Sequence, residues 1–326
     1  MKNYVNLGTD KWVRQLGFAV VLLMTLWCRT AIASQLRAFD KNVVWFIIEE
    51  RVVTNQTTSA CQVKEIPLGT AFGISVAQAP PLTNMWGYIV TAKHVLIDTN
   101  GNHPREVFLR MNTYDQIIGR LFLPLTSAAN KIYTHPDKTV DLAIIAVKTD
   151  DKTQAQFNMK FVPSQLIATK EFIETNAVTE GETMFFTGLF SPYYGAKHNV
   201  PICRFGHLAM LPNEKIELTP SEYTDLMLME GESFPGNSGS PVFFQFDPNR
   251  VPFVSQVYSL AGVMKGYFKD YSEAEIVPVS GHTYIHGNAA VAAVTPAYYI
   301  LDILNCDELT AFRAEAERRL RSGSTP

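Results

Sequence analysis

Residues 236–241, Gly-Asn-Ser-Gly-Ser-Pro, place a serine between two glycines in a segment typical of a turn. A serine hydroxyl is a weak nucleophile at neutral pH, so it needs a base within hydrogen-bond reach and a third group that orients the base. His94 and Asp141 are candidates for these roles, because each lies at the boundary of an apolar, strand-like segment earlier in the chain. The order His94, Asp141, Ser238 therefore predicts acyl transfer, with Ser238 as nucleophile, His94 as general base and acid, and Asp141 as the carboxylate that orients the imidazole.

The glycines beside Ser238 predict how negative charge would be stabilised. The backbone N–H groups of Gly236 and Ser238 are expected to converge on the oxygen that becomes negative in the tetrahedral intermediate. Removing one such donor typically costs about 100- to 1000-fold in rate. This chemistry needs neither a metal ion nor a cofactor, and the sequence predicts neither.

Two clusters of short strands, rich in Val, Ile, Phe and Tyr, are predicted to position these residues. The first cluster comprises residues 43–48, 70–76, 88–92, 107–111 and 142–147. The second comprises residues 183–187, 203–211, 225–229, 242–246, 259–264 and 289–294. A polar connection lies between them, and apolar residues at helical spacing after Pro296 predict a terminal helix. The pattern favours an all-β fold with two β subdomains.

Three blocks resemble the signature motifs of the trypsin-like (chymotrypsin-fold) serine peptidases, and bacterial members in particular. They are residues 91–94 (Thr-Ala-Lys-His), residues 141–143 (Asp-Leu-Ala) and residues 236–241. Residues 69–73 (Gly-Thr-Ala-Phe-Gly) and 292–296 (Ala-Ala-Val-Thr-Pro) add to the resemblance. It implies an all-β fold of two packed six-stranded antiparallel β-barrels, with the active site between them and a C-terminal α-helix.

The resemblance also implies a domain organisation. The N-terminal barrel is expected at about residues 40–150, a linker at about 151–180, the C-terminal barrel at about 181–296 and the C-terminal helix at about 297–320, all within a peptidase domain of residues 34–326. Only about 30 residues follow Pro296, fewer than a typical domain needs. No C-terminal peptide-binding (PDZ) domain is therefore expected.

Three positions depart from the family pattern. Digestive members carry an aspartate at the position of Asn237, where it pairs with a newly cut N-terminus, so activity is expected here without any cut beyond signal removal. Ser240 replaces a usual glycine, and we expect this to be tolerated. Val95 stands where digestive members have a cysteine, so their disulfide beside the histidine is missing.

Candidate substrate-binding residues give conflicting indications of specificity. If the block before Ser238 aligns without gaps, Glu232 falls near the base of the primary pocket and favours basic side chains. The segment 262–267 resembles a strand that lines this pocket; it contributes Lys265, and Tyr267 could narrow the pocket. Both interpretations remain open.

The composition and the N-terminus bound the location and partners of the chain. Of its 326 residues, 47% are hydrophobic, the formal net charge is −3, and no long Lys/Arg block is present, so nucleic acid is not an expected partner. Residues 1–33 combine basic residues, an apolar stretch and Ala-Ile-Ala, which is typical of a cleaved signal peptide. The apolar stretch is about a dozen residues, against about 20 for a membrane span. A periplasmic or secreted protein without stable membrane association is expected, and a permanent anchor is the alternative.

Two questions stay open at this level. After signal removal Cys61, Cys203 and Cys306 remain, which allows one disulfide in any of three pairings or none.

The leading functional hypothesis is an exported serine endopeptidase acting on protein or peptide substrates. Its rival is a catalytically silent trypsin-like fold that serves as a binding or scaffold protein. An α/β-hydrolase is disfavoured, because its Gly-x-Ser-x-Gly motif and its Ser, acid, His order are both missing. The sequence predicts no oligomeric state.

Overall fold

The structure is a computed structural model that describes residues 43–54, 61–82, 84–126, 130–147, 151–219, 222–247, 257–275 and 282–322. The predicted signal peptide, residues 1–33, lies outside them.

The strands of the first half are β1 (Val44–Thr54), β2 (Cys61–Ala77), β3 (Met85–Thr91), β4 (Glu106–Asn112), β5 (Ile118–Pro124), β6 (Ile132–Thr134), β7 (Ala143–Ala146) and β8 (Phe161–Pro163). Those of the second half are β9 (Thr183–Gly188), β10 (Ile202–Met210), β11 (Ile216–Thr219), β12 (Glu222–Thr224), β13 (Met227–Glu230), β14 (Pro241–Gln245), β15 (Tyr258–Glu275) and β16 (His282–Pro296). The helices are α1 (Lys93–Leu96), α2 (Asp151–Gln156), α3 (Lys170–Thr175), α4 (Tyr298–Leu304) and α5 (Asp307–Arg321), with a 3₁₀ turn at Ser164–Leu166.

The first half forms one sheet in the order β5-β4-β1-β2-β3-β7-β6, with β8 added to β2 in parallel. Glycine makes room for β8, because a Cβ at Gly73 would lie 2.6 Å from both Phe161 and Trp45. The Phe161 ring packs edge-on against Trp45, with centroids 5.6 Å apart. Among the described strands this path stays open and takes in an eighth strand from beyond residue 150. The expected six-stranded N-terminal barrel is therefore present only in part, as an open eight-stranded sheet.

The second half closes on itself, in the order β10-β13-β16-β15-β14-β9 with β9 pairing β10. All of its pairs are antiparallel, so this half is a six-stranded antiparallel barrel, as the family resemblance implies for the second strand cluster. Its interior is filled by buried apolar side chains that include Phe186, Phe244, Met264 and Val294. Closure leaves the barrel without free strand edges.

The end of the chain corrects the prediction of a single helix over residues 297–320. The backbone of Cys306 is extended, with φ −60° and ψ 152°, which ends α4 and begins α5. Acidic side chains in the first turn of α5 and arginines in its last turn favour a separate helix through the helix dipole. α5 returns to the first half, where Glu317 Oε1 accepts a hydrogen bond from Trp86 Nε1 at 3.2 Å.

Two further findings concern the described part of the chain. None of its helices is long and apolar enough to cross a membrane. The thiol of Cys306 is free, so neither disulfide pairing that involves it is present.

Candidate active site

Neighbouring strands bring His94 and Asp141 together. β3 and β7 pair antiparallel, with Thr91 opposite Ala143, so the end of β3 lies beside the start of β7. His94 follows β3 in the first turn of α1, and Asp141 precedes β7 by two residues. His94 Nδ1 lies 2.7 Å from Asp141 Oδ2, and the backbone N–H of His94 donates to Asp141 Oδ1 at 3.0 Å. Both carboxylate oxygens therefore contact the same histidine.

The electrostatics of the pair favour an ionised Asp141 carboxylate. Burial alone would raise the pKa of Asp141, but hydrogen bonds from His94 and the positive charges of His94 and Lys265 outweigh it, so the pKa lies well below its usual value. An ionised carboxylate only accepts hydrogen bonds, so the neutral ring carries its proton on Nδ1 and leaves the Nε2 lone pair available. The His94 side chain is 48% exposed, against 5% for Asp141. His94 therefore offers a base to the cleft while its partner stays shielded.

This cleft has a volume of about 1310 Å³ and lies beside both residues. Its lining includes His94, Asp141, Lys265 and Tyr267. Two of the candidate substrate-binding residues, Lys265 and Tyr267, thus share the cleft with the His–Asp pair.

Ser238 lies in a tight turn between β13 and β14. Gly236 and Gly239 on either side have φ of 97° and 88°, a region that side chains disfavour. The buried Asn237 side chain holds the turn from inside, because its Oδ1 accepts from Phe234 N–H at 2.8 Å and its Nδ2 donates to the Leu189 carbonyl at 2.6 Å. The glycines and Asn237 together leave the Ser238 side chain partly exposed.

The first half of the molecule also holds this turn, through Thr70 on β2. Thr70 Oγ1 donates to the Gly236 carbonyl at 2.8 Å and accepts from Leu189 N–H at 2.9 Å. Thr70 N–H donates to the Ser238 carbonyl at 2.8 Å. The Thr91 hydroxyl fixes Thr70 in turn by donating to its carbonyl at 2.7 Å. The sequence placed Thr70 in a supporting block but did not identify this contact.

Two backbone donors of the turn remain available. Asn237 N–H donates to Phe234 and Gly239 N–H donates to Met264, at 2.9 and 2.8 Å. No hydrogen bond within the described residues uses the N–H of Gly236 or of Ser238. These two are the donors that the sequence analysis expected to bind a negative oxygen.

The Ser238 hydroxyl does not contact the base in this structure. It donates to the backbone carbonyl of Lys265 at 3.0 Å, and no hydrogen bond between Ser238 and His94 occurs among the described residues. Lys265 also places its ammonium Nζ 3.5 Å from Asp141 Oδ2. From sequence Lys265 is a candidate for substrate binding, and neither contact is predicted.

Glu232 lies apart from this arrangement. Its side chain is 56% exposed and pairs with Arg204 at 3.6 Å, and Arg204 lies over the Phe234 ring at 4.5 Å. It is not among the residues that line the cleft. An exposed, ion-paired carboxylate differs from the pocket-base carboxylate that a gap-free alignment predicts.

Ser240, the departure from the family glycine, is accommodated by a glycine at the end of the neighbouring strand β9. A Cβ built on Gly188 would lie 1.9 Å from Ser240 Oγ. The serine side chain thus occupies space that Gly188 leaves empty.

On the described part of the chain, no group of three or more His, Cys, Asp or Glu side chains is arranged to hold a metal ion.

No protein-family model matches the chain, and no curated protein matches its sequence. Among solved structures it is similar to the HtrA-type protease AlgW with a decapeptide, at 13% identity and a TM-score of 0.46, over 82% of this chain and 65% of that one. It is also similar to the HtrA-type protease AlgW with a tripeptide, at 14% identity and a TM-score of 0.42, over 82% of this chain and 61% of that one. The chain spans less than two thirds of the length of either neighbour. Its function therefore has to be inferred from the geometry of its site.

Proposed function

We propose that this chain is an exported serine endopeptidase that hydrolyses peptide bonds through Ser238, His94 and Asp141. The observation that carries the proposal is the His94–Asp141 pair, in which both oxygens of a buried carboxylate contact one half-exposed histidine at the wall of a cleft. The turn of Ser238 supports it, because two unused N–H groups flank the hydroxyl on a rigid backbone. Protein or peptide chains are the expected substrates.

The first half of the reaction forms an acyl-enzyme. The reaction requires the Ser238 hydroxyl to leave the Lys265 carbonyl, by rotation about its Cα–Cβ bond, and to donate to Nε2 of His94. The Ser238 oxygen then bonds to the carbonyl carbon of the substrate while its proton passes to His94. The negative oxygen of the tetrahedral intermediate accepts hydrogen bonds from the Gly236 and Ser238 N–H groups. When the intermediate collapses, the C–N bond breaks and the leaving amine takes the proton from His94.

The second half repeats these steps with water. A water molecule gives its proton to His94 as its oxygen attacks the ester carbon, and collapse breaks the ester bond and returns the proton to Ser238. Asp141 stays ionised throughout and stabilises the imidazolium in both halves. The low pKa of Asp141 supports this role.

Activity-based labelling tests the proposal directly. A fluorophosphonate probe should label the purified wild-type protein on Ser238 and should fail to label Ser238→Ala, as read by intact-mass and peptide analysis. Ser240→Ala is the matched control, because this serine lies in the same segment but its buried hydroxyl has no hydrogen-bond partner among the residues that the structure describes. It should keep the label. A labelled Ser238→Ala protein would contradict the assignment of the nucleophile.

The second candidate is a catalytically silent binding or scaffold protein. The observation in its favour is the hydrogen bond of Ser238 to Lys265, which leaves the hydroxyl away from the base. A protein that is folded by circular dichroism, never labels and does not change when His94 is replaced by alanine would favour this candidate.

Export and activation form a further part of the proposal. Residues 1–33 are proposed to leave as a signal peptide, and mass analysis of the mature N-terminus tests the cut after Ala33. The buried Asn237 side chain is satisfied inside the turn, which supports activity without an N-terminal ion pair. Activity that appeared only after a further N-terminal cut would contradict it.

A further inference from the structure

Lys265 contacts both parts of the candidate site. Its ammonium Nζ lies 3.5 Å from Asp141 Oδ2, the same oxygen that contacts His94 Nδ1. Its backbone carbonyl accepts the hydrogen bond of Ser238 at 3.0 Å. The side chain is 22% exposed. The Lys265 side chain thus lines the cleft and also places its ammonium group near a buried carboxylate.

A β-bulge explains how one residue makes both contacts. In the pairing of β15 with β16, Met264 lies opposite Val294 and Gly266 lies opposite Ala293, so Lys265 is the extra residue between two consecutive partners. An extra residue of this kind leaves the ladder and has its groups turned in a new direction. The preceding residue is fixed, because Met264 exchanges hydrogen bonds with the strand after Ser238, donating to Ser240 and accepting from Gly239 at 2.9 and 2.8 Å.

We propose that Lys265 is a positioning residue of the proposed peptidase, acting on His94 through the Asp141 carboxylate instead of binding substrate. This inference rests on the proposed function. The ammonium group shares the carboxylate with His94 and neutralises part of its charge, so Asp141 stabilises protonated His94 less than it would alone. Removal of the ammonium group should therefore let Asp141 stabilise protonated His94 more strongly. The carbonyl of the same residue holds the Ser238 hydroxyl until it turns to His94.

Other charged groups surround the pair and have to be held constant. The titratable side chains that also line the cleft are Lys93, Asp98, His135, Lys138 and Tyr267. Asp98 accepts hydrogen bonds from backbone N–H groups of its own loop, and His135 lies 3.5 Å from Asp302. None of these groups changes when only Lys265 is replaced, so a comparison of Lys265 variants isolates its charge.

The test compares Lys265→Met, which removes the charge, with Lys265→Arg, which keeps it. The pH profile of kcat/KM for a peptide reporter should show its acid limb about one pH unit higher in Lys265→Met, with KM little changed. Lys265→Arg should restore the wild-type limb. Lys131→Met is the matched control, because Lys131 also pairs with a carboxylate, that of Glu308, but lies outside the cleft lining. Its profile should match the wild type.

Several outcomes would overturn the proposal. They are an unchanged acid limb in Lys265→Met, an equal shift in Lys131→Met, and a raised KM with unchanged kcat, which would indicate substrate binding. Thermal melts of each variant check folding, and Lys265→Gln, which keeps a polar stem, replaces Lys265→Met if the latter is unfolded.

A second readout separates this inference from the proposed function. In the Ser238→Ala background, which needs no activity, NMR titration of the His94 ring should show its half-titration point at higher pH with Lys265→Met than with Lys265. An equal half-titration point in both proteins would overturn the inference even if the wild type labels. Failure to label together with the expected NMR shift would overturn only the peptidase function and leave the contact between Lys265 and the pair established.

Discussion

The two halves of the molecule contribute to the site in different ways. The open sheet of the first half supplies His94 and Asp141, which meet through two direct hydrogen bonds because their strands are neighbours. The closed barrel of the second half supplies Ser238 on a turn that needs two glycines of positive φ, a buried amide and a threonine from the other half. The acid–base pair is assembled within one region, whereas the nucleophile turn depends on both.

This difference shows where the site is robust and where it is sensitive. A pair between adjacent strands depends on one register, and that register is held by the whole sheet. The Ser238 turn depends on individual groups where the two halves of the molecule meet. Few other residue types could replace any one of these groups. We therefore expect the largest effects from substitutions of the proposed catalytic side chains and smaller effects from substitutions that remove supporting contacts.

Removing the nucleophile or the base should have the largest effect. Ser238→Ala and His94→Ala should each lower kcat by about 10⁴- to 10⁶-fold, because the proposed nucleophile and the proposed base cannot act without each other. The double variant should lose no more than either single variant, as measured by kcat on a peptide reporter. If the fold losses in kcat of the two single variants multiplied in the double variant, Ser238 and His94 would act independently of each other.

Replacing Asp141 by asparagine should lower kcat by about 10⁴-fold. The amide has the size of the carboxylate but no charge, so it neither stabilises imidazolium nor selects the proton on Nδ1. The matched control is Asp137→Asn, since Asp137 lies in the same segment but bonds Thr139 and Lys215 instead of His94. A similar loss in both variants would indicate a general effect of charge on this loop.

Thr70→Val tests the junction between the halves. The substitution keeps the shape but removes the hydroxyl that bonds Gly236 and Leu189, and unfolding should become easier by about 2–4 kcal/mol, because two buried groups lose their partner. Ser259→Ala is the control, since it removes one buried hydrogen bond, to the Leu166 carbonyl, at the end of β15 away from the turn. Urea unfolding gives the stability change, and kcat should fall only in Thr70→Val. Equal kcat in both variants would remove Thr70 from the support of the turn.

Gly188→Ala should destabilise the barrel by about 1–3 kcal/mol, because its Cβ would lie 1.9 Å from Ser240 Oγ. In a Ser240→Gly background the same substitution should cost much less. The coupling energy from a double-mutant cycle of urea unfolding measures the contact. Additive effects would show that the two positions do not share the space.

Glu317→Gln should have the smallest effect, with a loss of about 1 kcal/mol in a thermal or urea melt. The amide keeps an acceptor oxygen for Trp86 Nε1, so the losses are the charge of this hydrogen bond and the ion pair with Arg321, whose atoms lie 3.7 Å apart. Reporter hydrolysis should be unchanged, because α5 contacts the edge of the first half near Ala79 and Trp86 and not the cleft. A fall in kcat would show that the terminal helix influences the site.

The strands of the second half and the candidate residues His94, Asp141 and Ser238 could be picked out from sequence, because local signals mark them. Strand ends mark His94 and Asp141, glycines mark the Ser238 turn, and short apolar segments mark the strands, whereas the barrel was implied by the family resemblance. The contacts of Lys265 were not predictable, since a bulge depends on the register of two strands that sequence does not specify. The same applies to β8, which pairs with β2 because a glycine leaves space for an aromatic ring. The break between α4 and α5 depends on the backbone of Cys306 alone.

The hydrogen bond from Thr70 to Gly236 spans 166 residues of sequence, whereas that from His94 to Asp141 spans 47. Contacts between distant segments form late in folding, since closing a long loop costs chain entropy before any contact repays it. Closing the loop that brings Thr70 to Gly236 therefore costs more chain entropy than closing the loop that brings His94 to Asp141. A chain in which the two halves were separated could keep the His94–Asp141 contact but would lose the support of the Ser238 turn, so the proposed hydrolysis requires both halves together.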